Sequence, residues 1–104
     1  MKINIKSTHL DLTPALKEYI EEKIGSLAKF LKRWDPEGVV EAYVEVARTT
    51  KHHHKGNVFR AETDLRVPGK VLRAEDEDWD IRAAIDRVKD KLKREAEKYK
   101  ETHE

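Results

Sequence analysis

The chain has 104 residues, with 22 Lys plus Arg against 21 Asp plus Glu and a formal charge of +1. That length suits a single domain over residues 1–104, and the charge balance argues against a generic polycation and against an acidic disordered tail. The absence of cysteine removes disulfides, thiolate metal sites and cysteine nucleophiles, and suits a reducing, cytoplasmic setting. The opening Met-Lys-Ile-Asn-Ile-Lys does not read as a signal peptide, and no apolar run approaches the length of a membrane span.

Residues Lys2 to Lys6 alternate polar and apolar, with Ile3 and Ile5 on one side, and predict a short strand. Thr13-Pro14 supplies an N-cap and a first-turn proline. Leu16, Tyr19, Ile20, Ile24, Leu27 and Leu31 then follow at helical spacing on one face, up to the Trp34-to-Gly38 stop. From Val39 to Ala47 the period becomes two, with Val40, Ala42, Val44 and Val46 facing the core. Thr49 to Asn57 reads as a polar hairpin loop turning at Gly56-Asn57. A second alternating run, Val58 to Val67, sends Phe59, Ala61, Thr63 and Leu65 inward. Pro68-Gly69 marks a tight turn, and Val71 to Ala74 a short last strand. Five acids between Glu75 and Asp80 precede the final helix, where Asp78 or Asp80 can cap it and the cluster suits the macrodipole. That helix runs to about Tyr99, with Ile81, Ala84, Ile85, Val88, Leu92, Ala96 and Tyr99 on one stripe. The expected fold class is α+β, a four-stranded sheet with two helices on one face, in the order β-α-β-β-β-α.

The last helix concentrates the basic residues. Arg82, Lys89, Lys93 and Lys100 project onto one flank of its apolar stripe, and Arg87, Lys91, Arg94 and Lys98 onto the other. From Arg87 to Lys100 seven bases face three acids, a local +4, while Glu75 to Asp80 contributes −5. A solvated face laced with ion pairs, Asp86–Lys89 and Asp90–Arg94 among them, is one reading. The other is a rigid row that tracks phosphates. Lys23 falls within the apolar arc of the first helix, where it either snorkels or extends this basic surface. Lys17, Lys29, Lys32 and Arg33 read as solvent-side residues. Trp34 and Trp79, near element ends, read as closing the core.

Other chemistries have little support in the sequence. His52-His53-His54 lies between Lys51 and Lys55, with no helical H-x-x-x-H pair and no cysteine partner, so a basic loop tip is preferred to a metal site. No metal or other cofactor is expected. Ser7 and Ser26, the only serines, belong to no nucleophile arrangement, and no glycine-rich phosphate loop is present. No enzyme activity and no small-molecule substrate are expected.

The segment Asp80-Ile-Arg-Ala-Ala-Ile-Asp86, followed by Asp90-Lys-Leu-Lys-Arg94, resembles the signature of the ribosome hibernation-promoting factors and ribosome-associated inhibitors, also described as sigma-modulation proteins. Ile3-Asn4-Ile5, Leu12-Thr13, Ala15-Leu16-Lys17, Lys23 and the Leu27-to-Phe30 stretch are similar to the family's first strand and helix. The chain departs from the pattern at Arg82, where an aromatic is usual, at Ser26, where a base is common, and at Glu95, where Gln is usual. The resemblance implies a fold like that of double-stranded-RNA-binding domains. It also implies a stress or stationary-phase factor, monomeric off the ribosome, that binds small-subunit rRNA in the decoding channel and excludes tRNA and mRNA. The family's basic positions fall on Lys17, Lys23, Lys91 and Arg94. Arg87 and Lys98 join them by helical periodicity, with Arg82, Lys89 and Lys93 as secondary candidates. The chain resembles a short form, or the N-terminal domain of a long one. The competing reading is a protein-binding regulator, such as a transcription-factor modulator. It would use the acidic 75–80 turn or the outer sheet face with Glu41, Tyr43, Glu45, Arg60 and Arg66.

Overall fold

A computed structural model describes residues 1–49 and 59–103. The elements run β1 (Lys2–Thr8), α1 (Pro14–Gly25), α2 (Ala28–Leu31), a 3₁₀ turn (Lys32–Trp34), β2 (Glu41–Arg48), β3 (Phe59–Val67), β4 (Lys70–Asp78) and α3 (Ile81–Thr102). The four strands form one mixed sheet in the order β1-β2-β3-β4. β1 pairs parallel to β2, and the other two ladders are antiparallel. This is the expected α+β architecture, with α1 and α3 as its two principal helices. Residues 50–57 of the expected hairpin loop, with the three histidines, and Val58 of the expected strand lie outside the described residues.

The Thr13 hydroxyl accepts the Leu16 N–H at 3.2 Å, and Pro14 occupies the first helical turn, where its missing N–H costs nothing. Leu16, Ile20 and Ile24 are buried. The first helix does not run unbroken to Leu31. The Ser26 hydroxyl donates to the Lys23 carbonyl at 2.6 Å, and Leu27 N–H bonds one residue short, to Ile24. Glycine at 25 weakens the helix, and serine at 26 offers its backbone an alternative partner. The chain therefore bends into α2, which keeps Leu27 and Leu31 in the core.

β4 is nine residues long, and this changes the reading of the acidic run. Glu75, Asp76, Glu77 and Asp78 belong to the strand, opposite Glu62, Ala61, Arg60 and Phe59 of β3. Of the five acids, only Asp80 caps α3, accepting the Arg82 N–H at 2.9 Å, while Asp78 accepts the Asp80 N–H. The first turn of α3 contains no acid. Poor strand formers are accepted here because β3 continues alongside and cations stand beside them. Arg60 bridges Glu62 and Glu75 on one face of the sheet, and α3 supplies partners on the other. Gly69 takes φ +79°, as the second central residue of a two-residue turn led by proline requires.

All seven residues of the α3 stripe are buried against β3 and β4. The Tyr99 hydroxyl donates to the Pro68 carbonyl at 2.7 Å, and Trp34 meets the Tyr99 ring edge-on at 5.5 Å. Trp79 is 60% exposed and takes no part in the core. The Thr63 hydroxyl is buried without a partner among the described residues.

Candidate nucleic-acid interface

α3 lies on the sheet with α1 and α2 along one flank and the acidic end of β4 along the other. The first flank forms a seam. The Tyr19 hydroxyl donates to Asp86 Oδ1 at 2.6 Å, and Lys23 Nζ stands 3.7 Å from the same oxygen. Lys23 Nζ and Arg82 Cζ lie 5.4 and 5.3 Å from the centre of the Tyr19 ring. Lys29 from α2 and Lys93 from α3 each lie 5.3 Å from the centre of Phe30. Each ring is thus shared by one cation from each side of the seam, at about 0.5–1 kcal/mol per contact where water remains. The hydrogen bond to Asp86, with burial and the Asp86 charge, pushes the Tyr19 hydroxyl up to about 12. Lys89 stands 3.7 Å from Asp90. Asp86 is engaged by Tyr19 and Lys23 rather than by Lys89, so of the two ion pairs expected along α3 one gives way to contacts across the seam and the other to Lys89–Asp90 on the helix itself.

The opposite flank is a clasp. Arg87 Nη2 donates to Asp78 Oδ2 at 2.5 Å and to the Glu77 carbonyl at 2.9 Å, while its Nε lies 3.2 Å from Asp76 Oδ2. Lys91 Nζ lies 3.1 Å from that same Asp76 oxygen and donates to the Glu75 carbonyl at 2.8 Å. Two carbonyls of an edge strand are thereby capped by cations, a protection that edge strands commonly need. Burial pushes the Asp76 carboxyl up, but Lys91, the Glu77 N–H and Arg87 outweigh it and hold it below the usual carboxylate range. Asp78 is also held low, first by Arg87 and then by the Asp80 N–H.

The remaining candidates are freer. Arg94 and Lys17 are exposed and have no partner among the described residues. Lys98 is exposed, 3.8 Å from Glu95. The nine basic candidates therefore separate: Lys23, Arg82 and Lys93 at the seam, Lys89 beside Asp90 on the seam flank of α3, Arg87 and Lys91 in the clasp, and Lys17, Arg94 and Lys98 in solvent. The periodicity of α3 separated its two flanks correctly but did not reveal that one of them meets an acidic strand. Tyr19, Phe30 and Asp86 are the residues it missed as part of the surface. The available signal was Tyr19 four residues before Lys23, and Phe30 beside Lys29, at the rim of an apolar stripe.

The open face of the sheet is different in character. A depression of about 260 Å³ there is lined by residues including Asn4, Lys6, Tyr43, Glu45, Glu62 and Asp64. Arg66 stacks over Tyr43 at 4.4 Å, and the Tyr43 hydroxyl donates to Glu41. Charges of both signs alternate across it. Among the described residues no group of three or more His, Asp or Glu is placed to hold a metal ion, and no helix is long and apolar enough to cross a membrane.

Architecture and surface together define a two-layer α+β domain with a cation-rich helical side and an open sheet. The chain belongs to the Sigma 54 modulation protein / S30EA ribosomal protein family, whose model matches residues 3–104. It is 35% identical over 102 residues to a ribosome hibernation promotion factor of Lactococcus lactis, covering 96% of this chain and 50% of that one. It is 36% identical over 101 residues to a ribosome hibernation promoting factor of Azotobacter vinelandii, covering 97% and 84%. The crystal structure of the N-terminal domain of Thermus thermophilus protein Y matches with a TM-score of 0.76 and 30% identity, over 95% of this chain and 99% of that one. The chain spans about half the length of several of the hibernation factors it matches.

Proposed function

We propose that this domain acts in ribosome hibernation, binding small-subunit rRNA in the decoding channel and keeping tRNA and mRNA out by occupying their space. The observation that carries the reading is the concentration of cations on the helical side. Lys23, Lys29, Arg82 and Lys93 line the seam, Lys89 lies on the same flank of α3, Lys17 stands in solvent on α1, and Arg94 and Lys98 stand in solvent on the Arg87 and Lys91 flank of α3. Phosphates are held there by Arg as a fork and by Lys as a point charge. Arg87 and Lys91 contribute to the same field but must share themselves with Asp76 and Asp78. No bond is made or broken, so occupancy alone sets the extent of inhibition.

The test is cosedimentation with small ribosomal subunits, alongside an in vitro translation assay. Wild-type protein pellets with the subunit and inhibits translation, and its affinity falls with salt by roughly 0.7–0.9 in log–log slope per phosphate contacted. Arg94→Glu with Lys98→Glu, two exposed positions without a role in the core, lowers both activities. If both are unchanged, this is the wrong face.

A further inference from the structure

The seam contains one feature that a surface made only for phosphates does not need. Asp86 places a carboxylate beside Lys23 and the Tyr19 ring that Arg82 covers, and its side chain is 45% exposed. Oδ1 takes the Tyr19 hydroxyl and faces Lys23, while Oδ2 has no partner among the described residues. A bare carboxylate repels a phosphate oxygen and attracts N–H donors. Beside it the ring of Tyr19, with the Arg82 guanidinium over it, provides a flat surface of the kind on which unpaired bases stack.

We infer that the seam accepts an unpaired nucleobase and that Asp86 reads its hydrogen-bonding edge, which makes the favoured base guanine. This inference rests on the RNA-binding reading above and adds base identity to it. The chemistry selects guanine because its Watson–Crick edge presents two adjacent donors, N1–H and the N2 amine, which match the two oxygens of one carboxylate. Adenine and cytosine set a single amine beside an acceptor nitrogen, and uracil sets one N–H between two carbonyls, so each brings an acceptor against the carboxylate. Oδ1 keeps a second lone pair while holding Tyr19. The base must be unpaired, because pairing consumes this edge. The surrounding lysines then neutralise the phosphates on either side of the bound nucleotide.

The experiment is a footprint of small ribosomal subunits with a glyoxal reagent, which attacks the N1 and N2 positions of unpaired guanines. Cosedimentation of the same samples is scored separately. Wild-type protein reduces the reactivity of at least one guanine about tenfold, the lower part of the discrimination expected of a bidentate contact. Asp86→Asn keeps an acceptor for Tyr19, and it is footprinted at a concentration at which cosedimentation shows the subunits to be saturated. The protected guanine nevertheless returns to its free reactivity. Tyr19→Phe keeps ring and carboxylate, and protection persists. Asp86→Ser takes the place of Asp86→Asn should the latter fail to melt cooperatively.

A wild-type protein that pellets while every unpaired guanine stays reactive overturns the assignment without any variant. Protection that survives Asp86→Asn or Asp86→Ser overturns it as well. A wild-type protein that does not pellet overturns the RNA-binding reading and this inference with it.

Discussion

The two flanks of α3 each carry four Lys and Arg residues, yet the fold gives them opposite surroundings. Arg82 and Lys93 look toward α1 and α2, where the rings of Tyr19 and Phe30 meet them and Tyr19 binds the single carboxylate of Asp86. Arg87 and Lys91 look toward β4, where Asp76, Asp78 and two edge carbonyls take their hydrogens. Charges in the clasp largely cancel at a distance, whereas the seam keeps most of its positive field. The local +4 of this helix is therefore not one continuous basic strip. The seam flank keeps its positive charge open, and on the other flank Arg87 and Lys91 fasten the helix to the edge of the sheet.

The most severe way to break this contrast is to reverse charge on the seam. Arg82→Glu with Lys93→Glu is expected to weaken subunit binding by about 100-fold near physiological salt, through lost phosphate contacts and added repulsion. Both positions lie outside the core, and an acid at 82 sits in the first turn of α3, where the dipole favours it. The melting temperature should therefore stay within a few degrees. A large drop in melting temperature without selective loss of binding would show that the seam is mainly structural.

The mirror experiment reverses the clasp. Arg87→Glu with Lys91→Glu sets four carboxylates together beside β4 and uncaps two edge carbonyls. Arg87 and Lys91 are nearly half exposed, so solvent screens each native pair and its single contribution is small. Repulsion among the four carboxylates adds to the loss, and a fall of roughly 5–15 °C in melting temperature is expected for a domain of this size. Thermal unfolding checks it. A melting temperature equal to wild type, with binding abolished, would move these two residues from the fold to the RNA.

The contrast between flanks also marks the limit of what the sequence could say. Strict alternation placed Val40, Ala42, Val44 and Val46 inward, and the α3 stripe was legible to the last residue, because burial imposes a period that side chains must obey. Alternation also put Thr63 in the core, although it could not show that its hydroxyl would lack a partner. The acidic run misled because Glu and Asp are poor strand formers, and nothing local indicates that Arg60, Arg87 and Lys91 will stand beside them. Pairing across 9 to 16 residues decides that case. The break at Gly25-Ser26 was similarly hidden by an apolar spacing that continues through it. For the surface, the sequence supplied the cations but not their neighbours, and the neighbours separate a clasp from a seam.

Acid titration probes the clasp without reversing any charge. Asp76 and Asp78 have folded pKa values below their ordinary ones, so their contribution is fully present above about pH 4, the ordinary carboxylate value, and is lost as pH falls further through the folded values. Asp35, which burial raises but the Val40 N–H and the Met1 ammonium lower further, acts in the same direction. Stability should hold from neutral pH to about 4 and then decline. In Asp76→Asn with Asp78→Asn that decline is expected to be shallower, from a lower starting stability at pH 7. An acid limb of unchanged steepness, followed by denaturant melts between pH 2 and 7, would mean that the clasp carboxylates titrate alike in folded and unfolded chains.

The seam has a counterpart at the alkaline end, smaller because a single hydroxyl carries it. Tyr19 is raised to about 12 by its hydrogen bond to Asp86, by burial and by the Asp86 charge. A group raised on folding stabilises fully below its unfolded value, near 10 for tyrosine, and loses that contribution as pH climbs through the folded value. Tyr19→Phe removes the contribution at every pH while leaving the ring beneath Lys23 and Arg82. At pH 7 the variant should be less stable by about 0.5–1.5 kcal/mol, the ordinary net worth of such a bond. Between pH 10 and 12 the wild type should lose that advantage and approach the variant. Spectroscopic titration of the tyrosinate band in wild type and Tyr19→Phe checks the same point independently of stability. The hydrogen bond to Glu41 raises Tyr43 as well, so the readout is the loss of one late-titrating tyrosine from wild type to Tyr19→Phe. If the late-titrating signal is undiminished in the variant, the Asp86 bond does not hold the seam closed, and the two flanks of α3 differ less than their neighbours suggest.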